Sequence, residues 1–170
     1  KSKHIVNDNV LKAITSATSL TVDFGGGIKT EEDIEKAFDA GAAMVTVGSI
    51  AVTNPELFLS WIDKYGAGRL ILGADEEDSA EDLLPFLKQY TDKGVRNVLC
   101  TEISKDGTLQ GPAIELYKEI MAAYPDLHLI ASGGVSCNED IDALETADIP
   151  AVVFGKAFYE GKIDIDKLGL

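Results

Sequence analysis

The chain has 170 residues, of which 45% are hydrophobic and 26% are charged, and its formal net charge is −14. This length and composition are typical of one globular domain with a sizeable core, and we predict a single domain over residues 1–170. The acidic balance argues against a nucleic acid partner, because phosphate backbones bind surfaces rich in Lys and Arg. No apolar stretch is long enough to span a membrane. We therefore expect neither a nucleic acid nor a membrane as a partner.

Strand-like and helix-like segments alternate along the chain. We predict strands over six mostly apolar runs: Leu20–Phe24, Met44–Val47, Arg69–Ala74, Asn97–Ile103, His128–Ala131 and Ala151–Phe154. Helices are predicted to begin near polar groups that suit a helix start: Asn7–Asn9, Thr30–Glu32, Asn54–Glu56, Ser79–Glu81, Gly111–Ala113 and Asn138–Asp140. Continuous apolar strands joined by helices indicate a parallel sheet that is covered on both faces.

One segment of the chain occurs twice, at an offset of about 107 residues. Gly26-Gly27-Ile28 aligns with Gly133-Gly134-Val135, and Gly48 aligns with Gly155. Each copy has the order strand, Gly-Gly turn, helix, strand, glycine. Glycine allows the backbone to direct consecutive N–H groups at one anion, and a helix start favours an anion further.

The residues that follow the second glycine of each copy extend this pattern. Ser49 comes after Gly48 and Lys156 after Gly155, which adds a hydroxyl and an ammonium suited to phosphate oxygens. A single Gly-Gly after a strand is usually only a turn, but two copies in register indicate more. The sequence therefore predicts one ligand that carries a phosphate at each end.

Six βα units with polar residues at the strand ends suggest a (β/α)8 TIM barrel, whose active site lies at the carboxyl ends of the strands. A complete barrel has eight strands in roughly 250 residues. We therefore expect the N-terminal portion, the first two βα units, to be missing from this sequence, which begins at Lys1 without a Met. A short doubly wound sheet is the alternative architecture. The spaced repeat favours the barrel, because it resembles two half-barrels that each end in a phosphate site.

Polar residues between the two copies are candidates for chemistry. Asp75 follows one apolar strand, and the segment Thr101–Thr108 with Asp106 follows the next. A ligand that joins two phosphate sites would place its middle near these residues, where a carboxylate can act as a general acid or base. Asp75 could instead cap a helix, and Asp106-Gly107 could be a plain turn.

Cysteine and histidine usage limits other kinds of site. Cys100 and Cys137 are too few for a secreted disulfide scaffold and fit a cytoplasmic protein with reduced thiols. His4 and His128 lack the spacing of metal ligands, so we expect no metal.

Several blocks closely resemble one enzyme family over nearly the whole chain. They are Asp23–Ile28, Val47–Ser49, Leu72–Asp75, Thr101–Gly111, Ala131–Val135 and Phe154–Phe158. The family is that of the phosphoribosylformimino-5-aminoimidazole carboxamide ribotide isomerases of histidine biosynthesis. Its most specific block here is Thr101–Leu109.

The resemblance implies a fold, a reaction and roles for individual residues. It implies a (β/α)8 barrel and a substrate with a phosphate on each of two ribose units. The reaction would be an Amadori rearrangement of an aminoaldose to an aminoketose, without a cofactor. Asp106 would be the general acid, and Asp75 and Thr101 would line the reaction centre and assist the proton transfers. The phosphates would be held by two sets of residues: Gly26, Gly27, Gly48 and Ser49 for one, and Gly133, Gly134, Gly155 and Lys156 for the other.

Two features depart from the family pattern. The family's second catalytic Asp, at the end of the first barrel strand, has no counterpart here. The loop after Asp75, in the fifth barrel unit, is also shorter than usual in the family. Two other interpretations stay open: the cyclase subunit of imidazole glycerol phosphate synthase, which pairs with a glutaminase, and a truncated, non-catalytic barrel fragment that retains phosphate sites. We expect a monomer.

Overall fold

A computed structural model describes residue 5, residues 7–76 and residues 80–169. Strands and helices alternate along this part of the chain. The strands are β1 (Asp23–Gly25), β2 (Met44–Val47), β3 (Leu70–Glu76), β4 (Asn97–Glu102), β5 (His128–Ser132) and β6 (Ala151–Val153). The helices are α1 (Asp8–Ala17), α2 (Glu31–Asp39), α3 (Ser49–Thr53), α4 (Pro55–Tyr65), α5 (Ala80–Thr91), α6 (Ile114–Ala123), α7 (Asn138–Thr146) and α8 (Lys156–Tyr159), with a 3₁₀ helix at Ile165–Lys167. No helix of the described ranges is both long and apolar enough to cross a membrane.

The chain divides into two compact units, with one boundary inside β3. The first unit contains residues 1–73 and 92–97, and the second contains residues 74–91 and 98–170. In the first unit β2 pairs in parallel with β1 and with the start of β3, so that Phe24 lies opposite Val45 and Thr46 opposite Ile71. In the second unit the strands follow the order β3, β4, β5, β6, and β5 and β6 are parallel.

Parallel strands joined by helices in chain order confirm the predicted fold class, that of the (β/α)8 barrel. The single domain over residues 1–170 stays a prediction. The bounds of β2 match the predicted strand, whereas β3 continues two residues beyond Ala74 and β1 begins three residues after Leu20. The short helices α3 and α8 were not predicted, because four or five residues are too few to establish a helical period. The predicted helix start at Ser79 lies outside the described residues.

One face of the central strands is buried beneath helices. Val45 and Val47 of β2 are fully buried, while the residues that alternate with them are half-buried. Strand β4 repeats the pattern, with Val98 and Cys100 buried on one face. The sequence predicted cover on both faces; residues 70–72 of β3, all buried, agree with that expectation, whereas the half-buried face of β2 and β4 differs from it. It is the face on which polar residues such as Thr46 lie.

The start of α2 is held by a reciprocal cap. Thr30 Oγ1 accepts a hydrogen bond from the N–H of Asp33, and the Asp33 carboxylate accepts from the N–H groups of Lys29 and Thr30, each at 3.0 Å, and from the Thr30 hydroxyl. Burial of this carboxyl group would raise its pKa, but the hydrogen bonds from Lys29 and Thr30 outweigh that effect and lower the pKa below 3.8.

We expect Asp33→Asn to lower stability in a pH-dependent way. A lowered folded-state pKa contributes stability that is present above about pH 4 and is lost as the pH falls through the folded-state value. The difference in free energy of unfolding between wild type and variant should be about 1 kcal/mol at pH 6 and should shrink below pH 4. Urea unfolding across pH 3–6 measures it, with the exposed Asp39→Asn of the same helix as the control. A difference that stays constant down to pH 3 would contradict the role given to the charged carboxylate.

Candidate active site

The two Gly-Gly turns have closely similar φ angles. The φ angles are 93° and 79° at Gly26 and Gly27, and 97° and 81° at Gly133 and Gly134. These left-handed values are strained for any residue with a side chain, which explains why both copies carry glycine there. The repeat seen in the sequence is therefore a repeat of local structure.

The segments that follow the two turns also share a hydrogen bond from a backbone N–H to an aspartate. In the first copy the Asp33 carboxylate accepts the N–H of Lys29, and in the second the Asp140 carboxylate accepts the N–H of Ser136 at 2.8 Å. Each aspartate lies four residues after its donor, inside the first turn of the following helix. The carboxylate fixes the path of the chain between the glycines and the helix.

A cleft with a volume of about 140 Å³ lies in the second unit. Its walls come from the loop after β4, the turn after β5 and the turn after β6. The polar and glycine residues among its lining are Asp106 and Gly107 from the first, Ser132, Gly133 and Gly134 from the second, and Gly155 and Lys156 from the third. The structure thus brings Asp106 together with the four residues that were predicted to bind the second phosphate.

The loop of residues 103–111, called here the Asp106 loop, is attached where it begins, at its tip and where it ends, and the Lys105 ammonium also donates to the Pro112 carbonyl at 3.3 Å. Where it begins, the buried Glu102 carboxylate accepts the N–H of Ser104 at 3.0 Å, and the Glu102 carbonyl accepts the N–H of Asp106 at 3.0 Å. At its tip, the Lys156 ammonium donates to the Gly107 carbonyl oxygen at 2.6 Å. Where it ends, the N–H of Gly111 donates to the Gly134 carbonyl at 2.9 Å.

The Asp106 loop also explains why residues 133 and 134 are small. A Cβ atom at Gly134 would overlap the Gly111 carbonyl, and one at Gly133 would lie 2.8 Å from the Glu102 carbonyl oxygen. At Gly155 a Cβ atom would meet nothing within 4 Å, and φ there is −125°. The glycines of the turn after β5 are thus required by packing, whereas a side chain at Gly155, which also lines the cleft, would meet open space.

A buried tyrosine supports the turn after β5 from behind. Tyr117 Oη donates to the carbonyl of Ser132, the residue before Gly133, at 2.8 Å. Burial raises the pKa of Tyr117 far above its ordinary value, and the nearby Cys100 thiol and Glu102 carboxylate raise it further. The hydroxyl therefore stays protonated and keeps donating at any physiological pH.

The corresponding turn in the first unit carries a feature that the second copy lacks. Thr46 Oγ1, on the half-buried face of β2, donates to the carboxylate of Asp23, three residues before Gly26, at 2.7 Å. Burial of this carboxyl raises its pKa, although part of the side chain is exposed and the hydrogen bonds from Thr46 and Phe24 act in the opposite direction. Near them, Gly48 has a negative φ of −104° and Ser49 is exposed.

The other two predicted catalytic residues lie at strand ends of the second unit. Asp75 is exposed and belongs to the last residues of β3, and Thr101 is half-buried near the end of β4. Among the described residues of the cleft lining, neither is present. The helix-cap interpretation of Asp75 required it to follow the strand, whereas it lies inside β3.

Sequence reasoning overlooked two residues of this site. Glu102 lies on the buried face of β4 with Val98 and Cys100. A charged residue at one of these alternating apolar positions is a sequence signal that could have identified Glu102 as a functional residue. Leu109 lines the cleft with a φ of 58°, which costs about 1–2 kcal/mol for a residue with a side chain. No sequence signal marks that strain.

Comparison with known proteins decides the family. A family model described as "Histidine biosynthesis protein" matches residues 1–164. The chain belongs to this family. Similar curated proteins come from Phocaeicola vulgatus (57% identical over 178 residues), Bacteroides fragilis (56% over 178) and Flavobacterium johnsoniae (44% over 179). Each is named as 1-(5-phosphoribosyl)-5-{(5-phosphoribosylamino)methylideneamino} imidazole-4-carboxamide isomerase.

These relatives are longer than the chain. The alignments cover 98% of this chain and 74% of the Phocaeicola and Bacteroides proteins, and 99% and 75% for Flavobacterium. The stretch aligned with the Phocaeicola protein, 178 residues, exceeds the 170 of this chain, so that relative has internal residues without a counterpart here.

Proposed function

We propose that this member of the histidine-biosynthesis family is an isomerase that converts an aminoaldose to an aminoketose on a ribonucleotide with two phosphates. The observation that carries the proposal is the cleft of the second unit, which combines the Asp106 carboxyl group with a glycine turn suited to an anion. The isomerase name shared by the relatives supports the same reaction.

One phosphate of the substrate is proposed to bind in this cleft. Gly133, Gly134 and Gly155 supply backbone N–H groups, and the Lys156 ammonium supplies charge. Because a Cβ atom at Gly155 would enter open space, the phosphate can approach the backbone closely there. The net charge of −14 does not prevent this, since local donors and one cation are sufficient to hold a phosphate.

The second phosphate is proposed to bind at the matching turn of the first unit. Gly26 and Gly27 have the same φ angles as their counterparts in the cleft, and Gly48 precedes the exposed hydroxyl of Ser49. The equal backbone of the two turns supports equal chemistry at both. A substrate with a phosphoribosyl group at each end has the two phosphates that such a pair of turns needs.

The proposed chemistry is acid–base catalysis. Asp106 gives a proton to the ribose ring oxygen, the C–O bond breaks, and the ring opens to a protonated Schiff base. A base then takes the proton from C2 to give an enolamine, which gains a proton at C1 and loses the proton of its C2 hydroxyl to become the ketose. Asp75 and Thr101 are proposed to position the substrate or to assist these proton transfers from the ends of β3 and β4. The protein's own contribution is to hold the Asp106 carboxyl beside a bound phosphoribosyl group.

Gly155→Ala tests the phosphate in the cleft. We expect it to raise the Kd for inorganic phosphate and the KM for substrate about ten-fold or more, because the added methyl occupies the phosphate's space. The free energy of unfolding should change by less than about 0.5 kcal/mol, since φ is negative and nothing lies within 4 Å of the new atom. Titration calorimetry and a steady-state assay measure both.

Gly68→Ala is the matched control. A Cβ atom at Gly68 also enters open space, but Gly68 lies two residues before β3 begins and is not among the described residues that line the cleft. It should leave both constants unchanged. If Gly155→Ala leaves them unchanged too, the phosphate does not bind at the turn after β6 and its residues must be reassigned.

Two alternatives are separated by assay. The cyclase would bind a glutaminase and use ammonia, whereas the curated relatives carry the isomerase name. A non-catalytic fragment would bind phosphate without turnover. Isomerisation of the aminoaldose by the purified chain, without ammonia or glutaminase, supports the proposed function; phosphate binding without turnover supports the fragment. A cytoplasmic monomer remains our prediction for its location and assembly, and sedimentation tests the assembly.

A further inference from the structure

Lys156 has a second contact besides the cleft. Its ammonium donates to the Gly107 carbonyl oxygen at 2.6 Å, across 49 residues of sequence. Gly107 follows Asp106 directly, so the lysine reaches the tip of the loop that carries the proposed acid. An ammonium has three N–H donors, and a carbonyl oxygen occupies one of them. The same group can therefore hold the loop and a phosphate oxygen together.

The repeat shows that this contact is particular to the second copy. Lys156 corresponds to Ser49 in the first copy, at the same offset as the glycines. A serine hydroxyl is too short to span such a distance, so phosphate binding by a glycine turn does not by itself explain a lysine at this position. The long side chain matches a position that has the Asp106 loop on the other side of the cleft.

The tip of the loop depends on few other contacts. The turn at residues 105–108 is closed on itself, with the N–H and the hydroxyl of Thr108 both donating to the Lys105 carbonyl. The side chain of Asp106 and the Gly107 residue are exposed; the Glu102 carbonyl holds the N–H of Asp106, the Lys105 ammonium donates to the Pro112 carbonyl, and Gly111 is bonded where the loop ends. Loss of the Lys156 contact would thus free the Gly107 peptide at the tip, next to the Asp106 carboxyl group, while the N–H of Asp106 stays bonded to the Glu102 carbonyl.

We propose that Lys156 is a positioning residue that couples the phosphate site of the cleft to the Asp106 loop. Its ammonium bridges the Gly107 carbonyl and a bound phosphate, so that an occupied phosphate site immobilises the loop with Asp106 beside the substrate. The proposal rests on the proposed function for the identity of the acid. The coupling between phosphate and loop is a physical property that can be measured without turnover.

The test measures amide hydrogen exchange of residues 103–111 in the purified protein, with and without saturating inorganic phosphate. In wild type, phosphate should slow exchange of the loop. In Lys156→Met, exchange without phosphate should be about three- to five-fold faster, the amount expected for one exposed charge-assisted hydrogen bond. Saturating phosphate, with occupancy checked by calorimetry, should no longer slow it. Lys156→Arg, which keeps charge and donors, should restore part of the protection.

Two variants make the outcome decisive. Lys118→Met removes an exposed lysine that pairs only with Glu115 on α6 among the contacts described, and should behave as wild type. Gly155→Ala should keep the protection seen without phosphate and lose the increment that phosphate adds. Loop exchange in Lys156→Met equal to wild type, with and without phosphate, would overturn the proposal and leave Lys156 as a phosphate ligand alone.

Turnover measurements separate this inference from the proposed function. If the chain is an isomerase, Lys156→Met should lower kcat as well as raise KM, because the acid is no longer held in place; a change in KM alone would again contradict the coupling. If the chain shows no isomerase activity but the exchange results hold, the proposed function fails and the coupling stands.

Discussion

Asp106→Asn is expected to lower kcat by about 10²–10⁴-fold while changing KM by no more than about two-fold. Asparagine has almost the same shape as aspartate but cannot give a proton to the ribose ring oxygen. The backbone N–H of residue 106 would still donate to the Glu102 carbonyl, so the loop should keep its conformation. Steady-state kinetics of the aminoaldose reaction measure both constants. Hydrogen exchange of residues 103–111 checks that the loop is unchanged.

The control for this substitution is Asp126→Asn, which removes the same charge from an exposed position in the same unit. It should leave kcat and KM as in wild type. Turnover of Asp106→Asn within a few-fold of wild type would mean that another group is the acid. Asp75 would then be the next carboxylate to test, since it lies at the end of β3 in the same unit.

The sequence predicted the repeating parts of the fold well because their signals are local. Glycine at the two turns and a capping residue before α2 and α4 are each detectable within a few residues, and the structure shows positive φ angles and caps at these positions. The repeat also predicted that the two turns would be alike, and their φ angles agree within a few degrees.

The contacts that build the cleft could not be predicted, because each joins residues far apart in sequence. The hydrogen bond of Lys156 to Gly107 and that of Tyr117 to Ser132 depend on how strands and helices of the second unit pack. The sequence suggested a charge for phosphate at Lys156, which names no partner within the protein, and it made no prediction for Tyr117. Only the three-dimensional arrangement shows that the Asp106 loop is attached to the turn after β5.

That attachment gives Gly134 a structural role in addition to the proposed binding of phosphate. If Gly134 served only to bind a phosphate, a side chain there would act by crowding that phosphate. The structure places the Gly111 carbonyl where the Cβ atom would be, and the N–H of Gly111 donates to the Gly134 carbonyl. A substitution at 134 therefore acts first on the packing of the Asp106 loop, and Gly155 is the better position for testing phosphate binding.

We expect Gly134→Ala to lower the free energy of unfolding by about 2–5 kcal/mol. A side chain at a φ of 81° costs about 1–2 kcal/mol, and overpacking against a backbone carbonyl adds about 1–3 kcal/mol.

Gly161→Ala is the matched control, because its φ is 70° but nothing lies within 4 Å of the added atom. It should show the strain alone, so the difference between the two variants measures the clash. Equal losses in urea unfolding would mean that the Asp106 loop is not packed against the turn after β5. A larger loss in Gly134→Ala than in Gly161→Ala, with faster hydrogen exchange at residues 103–111, would show that this turn holds the loop as well as offering N–H groups to an anion.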